Sequence, residues 1–242
     1  WLMDRLREAD LPARMDEAGN VWSRLEGANP EAGSIVIGSH TDTVPCAGAL
    51  DGSLGVLIAL ECFRVMQEER FRPARTLELV SFSDEEGRFG GMLGSQTVSG
   101  LSNPEKLYAA DLDGMTLQDA MRAAGLDPHR FLDAVRDPDE IAGYLELHIE
   151  QGPVLDRSRT SIGIVDEITG LFKWAVRLRG EANHAGTTPM EMRKDAFMGL
   201  ADFAHELPRI LEENGGERSR ATIGKAEILP GAANTVAGLV EF

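Results

Sequence analysis

Two short apolar runs with a helical pattern between them dominate the first third of the chain. Residues 34–40 and 76–83 are rich in β-branched and other apolar side chains, as is typical of strands buried in a mixed or parallel sheet. Residues 53–70 carry apolar side chains at helical spacing, and Ser53 is the expected N-cap. The predicted helical stripe consists of Leu54, Leu57, Ile58, Leu60 and Val65. Strand, helix and strand in this order predict a βαβ unit.

The pattern changes along the rest of the chain. Residues 101–142 predict two or three short amphipathic helices, and residues 143–149 predict a third strand. The second half then predicts a strand at 171–179, a helix near 195–213 and further strands up to Phe242. We therefore predict an α/β fold with a mixed-sheet domain over 1–169, followed by an incomplete α+β domain over 170–242. Trp1 falls inside a predicted helix and Phe242 inside a predicted strand, so we expect both ends to be cut.

Composition excludes several classes of partner. The chain has 24 basic and 40 acidic residues, a net charge of −16, which repels nucleic acid and anionic membrane surfaces. No apolar run is long enough to span a bilayer, and the first residues lack a signal-peptide layout. The two cysteines, Cys46 and Cys62, form no CxxC pair, which favours a reducing compartment. A cytoplasmic protein with a small-molecule or protein partner is expected.

Polar residues follow the predicted strands at the points where ligands bind in open α/β sheets. His40 ends the first strand, and Asp42 lies two residues later, where its carboxylate can orient the imidazole. Asp51, in an Asp-Gly pair, precedes the helix, although such a pair is often only a turn. Asp84-Glu85-Glu86 follows the second strand and would otherwise be a solvated acidic turn.

These clusters together predict a metal centre. His40, Asp51, Glu86 and His148 form a mixed nitrogen and oxygen donor set that suits zinc, manganese or cobalt. A carboxylate can bridge two ions, and Asp51 is the candidate bridge. Two divalent ions would make hydroxide available at neutral pH, and Glu85 would act as the general base.

Five ordered motifs carry a family resemblance over essentially the whole chain. They are Gly38-Ser-His-Thr-Asp-Thr-Val, Leu50-Asp-Gly-Ser-Leu-Gly-Val, Asp84-Glu-Glu-Gly, Glu146-Leu-His-Ile-Glu-Gln-Gly-Pro and His184-Ala-Gly-Thr-Thr-Pro-Met. Together they resemble the amidase, hydantoinase and carbamoylase branch of the M20 metallopeptidase family. That branch includes N-carbamoyl-L-amino acid hydrolases, allantoate amidohydrolase and β-ureidopropionase.

The resemblance implies roles for further residues. Asp42 would support His40, His184 in a lid domain would stabilise the oxyanion, and Gln151 and Asn234 would contact the substrate. Without the family, His184 would be an ordinary loop histidine and Asn234 a turn asparagine. The lid would also form a homodimer interface, and the family's last metal-ligating histidine and its carboxylate-binding arginine would lie beyond Phe242.

The expected activity is hydrolysis of the carbamoyl or ureido carbon–nitrogen bond of an N-carbamoyl-L-amino acid or a related ureido acid. Allantoate hydrolysis is the alternative within the branch, and an aminoacylase or dipeptidase is the alternative within the superfamily. A non-catalytic dimerising homologue is disfavoured because the four expected ligands and the base are all present. The glycines from Gly87 to Gly94 have the wrong spacing for a nucleotide loop.

Overall fold

A five-stranded mixed sheet organises the first part of the chain. The computed structural model describes residues 1–44, 46, 48–111 and 113–242. These fall into two units, Trp1–Gly163 and Ile164–Phe242. The strands of the first unit are β1 (Arg14–Met15), β2 (Val21–Leu25), β3 (Ser34–His40), β4 (Leu77–Phe82) and β5 (Ile141–Leu145).

The sheet has the order β1-β2-β4-β3-β5. β3 runs parallel to both β4 and β5, whereas β2 is antiparallel to both β1 and β4. This arrangement confirms the mixed-sheet α/β fold class and the predicted βαβ unit. The helices are α1 (Leu2–Glu8), α2 (Ser53–Glu68), α3 (Leu93–Val98), α4 (Leu117–Ala123) and α5 (Val154–Ser158), with 3-10 turns at Pro104–Tyr108, Pro128–Ala134 and Pro138–Glu140.

Successive residues of the central strands supply the cores on opposite faces of the sheet, because side chains alternate along a strand. Leu79 of β4 packs with Leu6 of α1 and with Val56 and Phe63 of α2. Its neighbour Val80 packs on the other face with Trp22 and Val98. Helix α2 is therefore fixed against the sheet by its own buried side chains.

Helix α2 corrects two expectations. Its N-cap is Gly52, and Ser53 is the first helical residue, with its hydroxyl bonded to the carbonyl of Ala49. Its buried positions are Gly55, Val56, Ala59 and Phe63, whereas Leu57, Ile58 and Val65 of the predicted stripe are each about 40% exposed. Gly55 leaves room for the segment after β5, because a Cβ there would lie 2.2 Å from the carbonyl oxygen of Leu147.

Strand β5 ends earlier than predicted. It covers Ile141–Leu145, not 143–149, and its last partner on β3 is Ile37. Beyond Leu145 the backbone no longer pairs with β3, and the polar side chains there form other hydrogen bonds. His148 consequently lies three residues beyond the strand, on irregular backbone.

The second unit is a three-stranded antiparallel sheet with one long helix. Its strands are β6 (Arg177–Arg179), β7 (Glu227–Leu229) and β8 (Leu239–Glu241), in the order β6-β8-β7. Helix α6 (Ala196–Asn214) is capped by Asp195 and packs Ala196 and Leu200 against Val240. A 3-10 turn covers Met190–Met192.

The strand predicted over 171–179 forms only as β6. Its first residues, including Leu171, Phe172 and Trp174, are about 80% exposed and have no partner strand among the described residues. Within the described part of the chain, no helix is both long enough and apolar enough to cross a membrane.

Candidate metal centre

His40 is held in a defined orientation at the end of β3. It is 4% exposed, and its Nδ1 lies 2.8 Å from the backbone carbonyl oxygen of Asp42. A carbonyl oxygen only accepts, so Nδ1 carries the proton and Nε2 presents its lone pair. His40 is therefore prepared to act as a ligand through Nε2.

The Asp42 carboxylate connects two loops. Its Oδ1 lies 3.7 Å from His40 Nδ1, and its Oδ2 accepts a hydrogen bond of 2.9 Å from the backbone N–H of Glu86. Oδ1 is buried and has no hydrogen-bond partner within the described residues. The backbone carbonyl of Asp42 thus orients the His40 imidazole, while the Asp42 carboxylate positions the loop that carries Glu86.

Asp51 approaches His40 because Gly52 has no side chain. Asp51 is 7% exposed. Gly52 has a φ of +63°, and a Cβ there would lie 2.3 to 2.4 Å from three atoms of the His40 ring. Gln151 donates from Nε2 to both Asp51 oxygens, at 2.8 and 3.0 Å. Gln151 therefore touches a predicted metal ligand directly.

His148 faces the same space from the segment after β5. Its Nδ1 lies 2.8 Å from the carbonyl oxygen of Ile149, and its Nε2 lies 3.4 Å from Asp51 Oδ1. By the same reasoning as for His40, Nδ1 carries the proton and Nε2 is free to ligate. The centroids of the two imidazole rings are 5.7 Å apart.

These side chains could hold a divalent ion. One donor atom from each of His40, Asp51 and His148 lies within 4.8 Å of the other two. Glu86 Oε1 lies 3.8 Å from His40 Nε2. Donors that are each about 2.1 Å from a tetrahedral ion are about 3.4 Å apart, which matches the spacing of His148 and Asp51. The donor chemistry and the spacing both fit a metal of the zinc, manganese or cobalt type.

Glu85 is turned towards a different partner. Its Oε2 accepts a 3.0 Å hydrogen bond from the Ser95 hydroxyl of α3. Burial raises the pKa of the Glu85 carboxyl, and the charges of Glu146 and Asp42 raise it further, against the opposing effects of Ser95 and His40. A carboxylate with a raised pKa is a better proton acceptor near neutral pH.

Three contacts at this site were missed by reasoning from the sequence. Ser95 touches Glu85, and Glu146 accepts a 2.5 Å hydrogen bond from Ser39. Asp84 accepts hydrogen bonds from the backbone N–H groups of Arg88 and Phe89, and so shapes the loop after β4. Ser39, Asp84 and Glu146 lie in the motifs of the sequence, but the motifs did not specify these contacts.

His184 and Asn234 are neighbours in the second unit. His184 pairs with Thr235 in a β-bridge, and the carbonyl oxygen of Asn234 accepts a 2.8 Å hydrogen bond from Ala185 N. The backbone N–H of Gly186 donates to His184 Nδ1 at 3.1 Å. Since Nδ1 must accept, a neutral His184 carries its proton on Nε2 and can donate from there.

Comparison with known proteins gives a consistent group of relatives. The chain is 40% identical over 240 residues to an N-carbamoyl-L-amino acid amidohydrolase of Geobacillus stearothermophilus, covering 98% of this chain and 58% of that protein. It is 40% identical over 235 residues to the allantoate amidohydrolase of Bacillus subtilis, covering 96% and 56%. The chain thus spans less than two thirds of the length of these relatives.

A solved structure and a family model agree with this grouping. A hydantoinase/carbamoylase family amidase from Burkholderia ambifaria aligns with a TM-score of 0.73 and 38% identity, covering 100% of this chain and 58% of that one. The model for peptidase family M28 matches residues 20–144, slightly more than half of the chain. That range includes β2 to β4 and the loops that carry His40, Asp51 and Glu86. The chain therefore belongs to peptidase family M28.

Proposed function

We propose that the protein is a metal-dependent amidohydrolase that cleaves the carbamoyl or ureido carbon–nitrogen bond of an N-carbamoyl-L-amino acid or a related ureido acid. The convergence of His40, Asp51 and His148 within 4.8 Å is the observation that carries this proposal. The relatives that are named carbamoylases support the substrate class. We also propose, on the five motifs alone, that the chain resembles the amidase, hydantoinase and carbamoylase branch of the M20 family.

The metal centre of this proposal holds two divalent ions, which are zinc, manganese or cobalt. His40, Asp51, Glu86 and His148 would hold these ions in this chain, and the Asp51 carboxylate would be the shared ligand. When bound, such ions acidify water and polarise a carbonyl group. Asp51 suits the shared position because a carboxylate has two oxygens, one of which lies 3.4 Å from His148 Nε2.

Glu85 moves the proton in the proposed reaction. Ser95 occupies Oε2, so Oε1 is the atom available to take a proton from water and deliver it to the leaving nitrogen. The oxygen of that water forms a bond to the carbamoyl carbon as one carbon–nitrogen bond breaks, which leaves a carbamate. Loss of carbon dioxide from the carbamate breaks the second carbon–nitrogen bond. One N-carbamoyl amino acid and one water then yield the amino acid, carbon dioxide and ammonia.

The remaining roles concern the substrate and the assembly. His184 donates from Nε2 to the developing oxyanion, which the hydrogen bond from Gly186 to Nδ1 supports. Gln151 and Asn234 contact the substrate. The protein forms a homodimer through the unit that carries His184, and it works in the cytoplasm, where the free thiols of Cys46 and Cys62 are stable.

Allantoate is the second candidate substrate. An allantoate amidohydrolase is as similar to this chain, at 40% identity, as the carbamoylase. Both substrates offer a ureido nitrogen to the same metal chemistry. The described residues of the metal centre serve either substrate equally, so an assay has to separate them.

The test is a substrate panel with the full-length protein. The protein is stripped with a chelator, reloaded with manganese, cobalt or zinc, and given N-carbamoyl-L-amino acids, allantoate, N-carbamoyl-β-alanine, an N-acetyl amino acid and a dipeptide. We expect metal-dependent ammonia release from a ureido substrate, and none from the Asp51→Ala variant. Turnover of only the acetyl or dipeptide substrate, or turnover that is unaffected by chelation, would contradict the proposal.

A further inference from the structure

The two histidines of the metal centre lie at matching positions beyond a shared ladder. Strands β3 and β5 run parallel, and their last paired residues are Ile37 and Leu145. His40 is three residues past the first of these, and His148 is three residues past the second. No strand pairing therefore fixes the distance between the two imidazoles along this part of the chain.

Side-chain hydrogen bonds continue the connection where the ladder stops. Ser39, next to His40, donates to Glu146 Oε1 at 2.5 Å. Tyr144 donates from its hydroxyl to Glu146 Oε2 at 2.9 Å, and the same hydroxyl lies 3.2 Å from the carbonyl oxygen of Gly38. We call Ser39, Tyr144 and Glu146 the strand clamp. It joins the ends of β3 and β5 one or two residues before each histidine.

Ser39 is the buried member of the strand clamp, whereas Tyr144 is 47% exposed and Glu146 is also exposed. Ser39 is 1% exposed, so its hydroxyl has little access to water as an alternative partner. The Tyr144 ring packs against Phe82, with centroids 6.1 Å apart. Burial and the charge of Glu146 raise the pKa of Tyr144, which keeps its hydroxyl protonated and able to donate. Both Glu146 oxygens are thus occupied by donors.

We propose that the strand clamp is a positioning device that sets the separation of His40 and His148 for metal binding. This inference rests on the proposed metal-dependent function. Because Ser39 precedes His40 directly and Glu146 lies two residues before His148, loss of their hydrogen bond lets the two strand ends separate. None of the three residues is a predicted ligand, so the clamp affects metal binding through the two histidines.

Three variants separate the effect of the hydrogen bond between Ser39 and Glu146 from the effect of the charge of Glu146. Ser39→Ala removes the hydrogen bond from Ser39 to Glu146 and leaves the carboxylate. Glu146→Ala removes both, whereas Glu146→Gln removes the charge and keeps an oxygen that can accept from Ser39. Ser34→Ala is the matched control, because Ser34 is also a buried serine of β3, and its hydroxyl donates to the carbonyl oxygen of Glu140 at the other end of the strand.

The readouts are the visible absorption spectrum and the dissociation constant of Co²⁺ bound to full-length protein, with the thermal midpoint as a check on folding. We expect Ser39→Ala and Glu146→Ala to bind Co²⁺ about tenfold more weakly, with altered band positions. Glu146→Gln and Ser34→Ala should remain within about threefold of the wild type, with its spectrum.

Wild-type spectra and affinities in folded Ser39→Ala would overturn the strand clamp while leaving the metal centre intact. Equal losses in Ser39→Ala and Ser34→Ala would also overturn it, since they would reflect general strand stability. A wild-type protein that binds no Co²⁺ would overturn the proposed function and this inference with it. If Glu146→Ala fails to fold, the comparison between Ser39→Ala and Ser34→Ala still decides the question.

Discussion

Glu85 and Glu86 are adjacent in the chain, yet each makes its own set of contacts. The Glu86 side chain lies near His40 Nε2, and its backbone N–H donates to Asp42. The Glu85 side chain instead accepts from Ser95. The sequence predicted two different roles for this pair, because neighbouring side chains at an irregular strand end point apart. It could not predict Ser95, which comes from a helix ten residues later.

Replacing Glu85 by Gln should separate catalysis from metal binding. The amide keeps the size of the side chain and can still accept from Ser95, but it cannot take a proton. We expect ureido hydrolysis to fall by about 100-fold or more while metal content stays at the wild-type level. Atomic absorption and ammonia release on the same sample would measure both. Wild-type turnover by this variant would remove Glu85 from the mechanism.

A substitution at Gly52 tests whether the close approach of the Asp51 loop to His40 matters for metal binding. A Cβ at this position would overlap the His40 ring, so Gly52→Ala should displace the imidazole and weaken metal binding by about tenfold or more. Gly125→Ala is the matched control, because Gly125 also has a positive φ, of +81°, but no atom lies within 4 Å of the added Cβ. Isothermal titration with Mn²⁺ would compare them, and equal affinities would show that the clash at His40 is unimportant.

Strand β4 carries a buried carboxylate in addition to its apolar core. Glu78 is 3% exposed, and Arg136 donates to its two oxygens at 3.0 and 3.2 Å. Arg24 contributes a further contact at 3.4 Å. Burial acts to raise the pKa of Glu78, but the Arg136 hydrogen bonds and the charges of Arg136 and Arg24 outweigh it and leave the pKa below its usual value.

From the buried ion pair of Glu78 and Arg136 we predict that the protein loses stability in acid. A lowered pKa means that Glu78 stabilises the fold above its unfolded pKa of about 4.3, and that the stabilisation is lost as the pH falls through the folded pKa. Glu78→Gln should cost about 3 kcal/mol at pH 7, and the difference from the wild type should shrink below about pH 4. The measurement is urea unfolding at several pH values.

Glu140→Gln is the control for this prediction. Glu140 also pairs with Arg136, at 3.0 Å, but its side chain is 60% exposed. An exposed ion pair contributes about 0 to 1 kcal/mol, so this variant should unfold almost as the wild type does. A Glu78→Gln protein with the same stability profile as Glu140→Gln would refute the importance of the buried pair.

The sequence predicted the presence and order of the strands and helices more reliably than the buried faces of the helices and the ends of the strands. The strand at Ser34–His40 and the βαβ order follow from the short β-branched run and the helical spacing after it. The buried face of α2 was predicted only in part: Leu60 packs against the core, whereas Leu57, Ile58 and Val65 are exposed and Gly55, Val56, Ala59 and Phe63 are buried. The predicted end of β5 was wrong, and the segment beyond Leu145 makes contacts such as Glu146 with Ser39, 107 positions apart, that local pattern cannot reveal.

At the scale of the first unit, the predicted ligands connect distant parts of the chain. One ligand ends β3, one precedes α2, one follows β4 and one follows β5. A bound ion would therefore join four segments that separate on unfolding. An ion that binds only the folded state at 100 times its dissociation constant stabilises that state by about 2.7 kcal/mol. The sequence could predict this convergence because the carboxyl ends of parallel strands share one edge.

Removing metal should therefore lower the thermal midpoint. We expect excess Mn²⁺ or Zn²⁺ to raise the midpoint of chelator-treated protein by about 5 to 10 °C. The Asp51→Ala variant should show no such rise, because it lacks the proposed bridge. Differential scanning fluorimetry would measure both proteins, and an equal rise in the variant would place the stabilising ion elsewhere.

The most direct test of the metal centre is a crystal structure of the full-length protein grown with Mn²⁺, with anomalous diffraction used to locate the ions. We expect two anomalous peaks, within bonding distance of His40, Asp51, Glu86 and His148, and with Asp51 contacting both. Peaks remote from these side chains, or none at all in protein that hydrolyses a ureido substrate, would contradict this expectation.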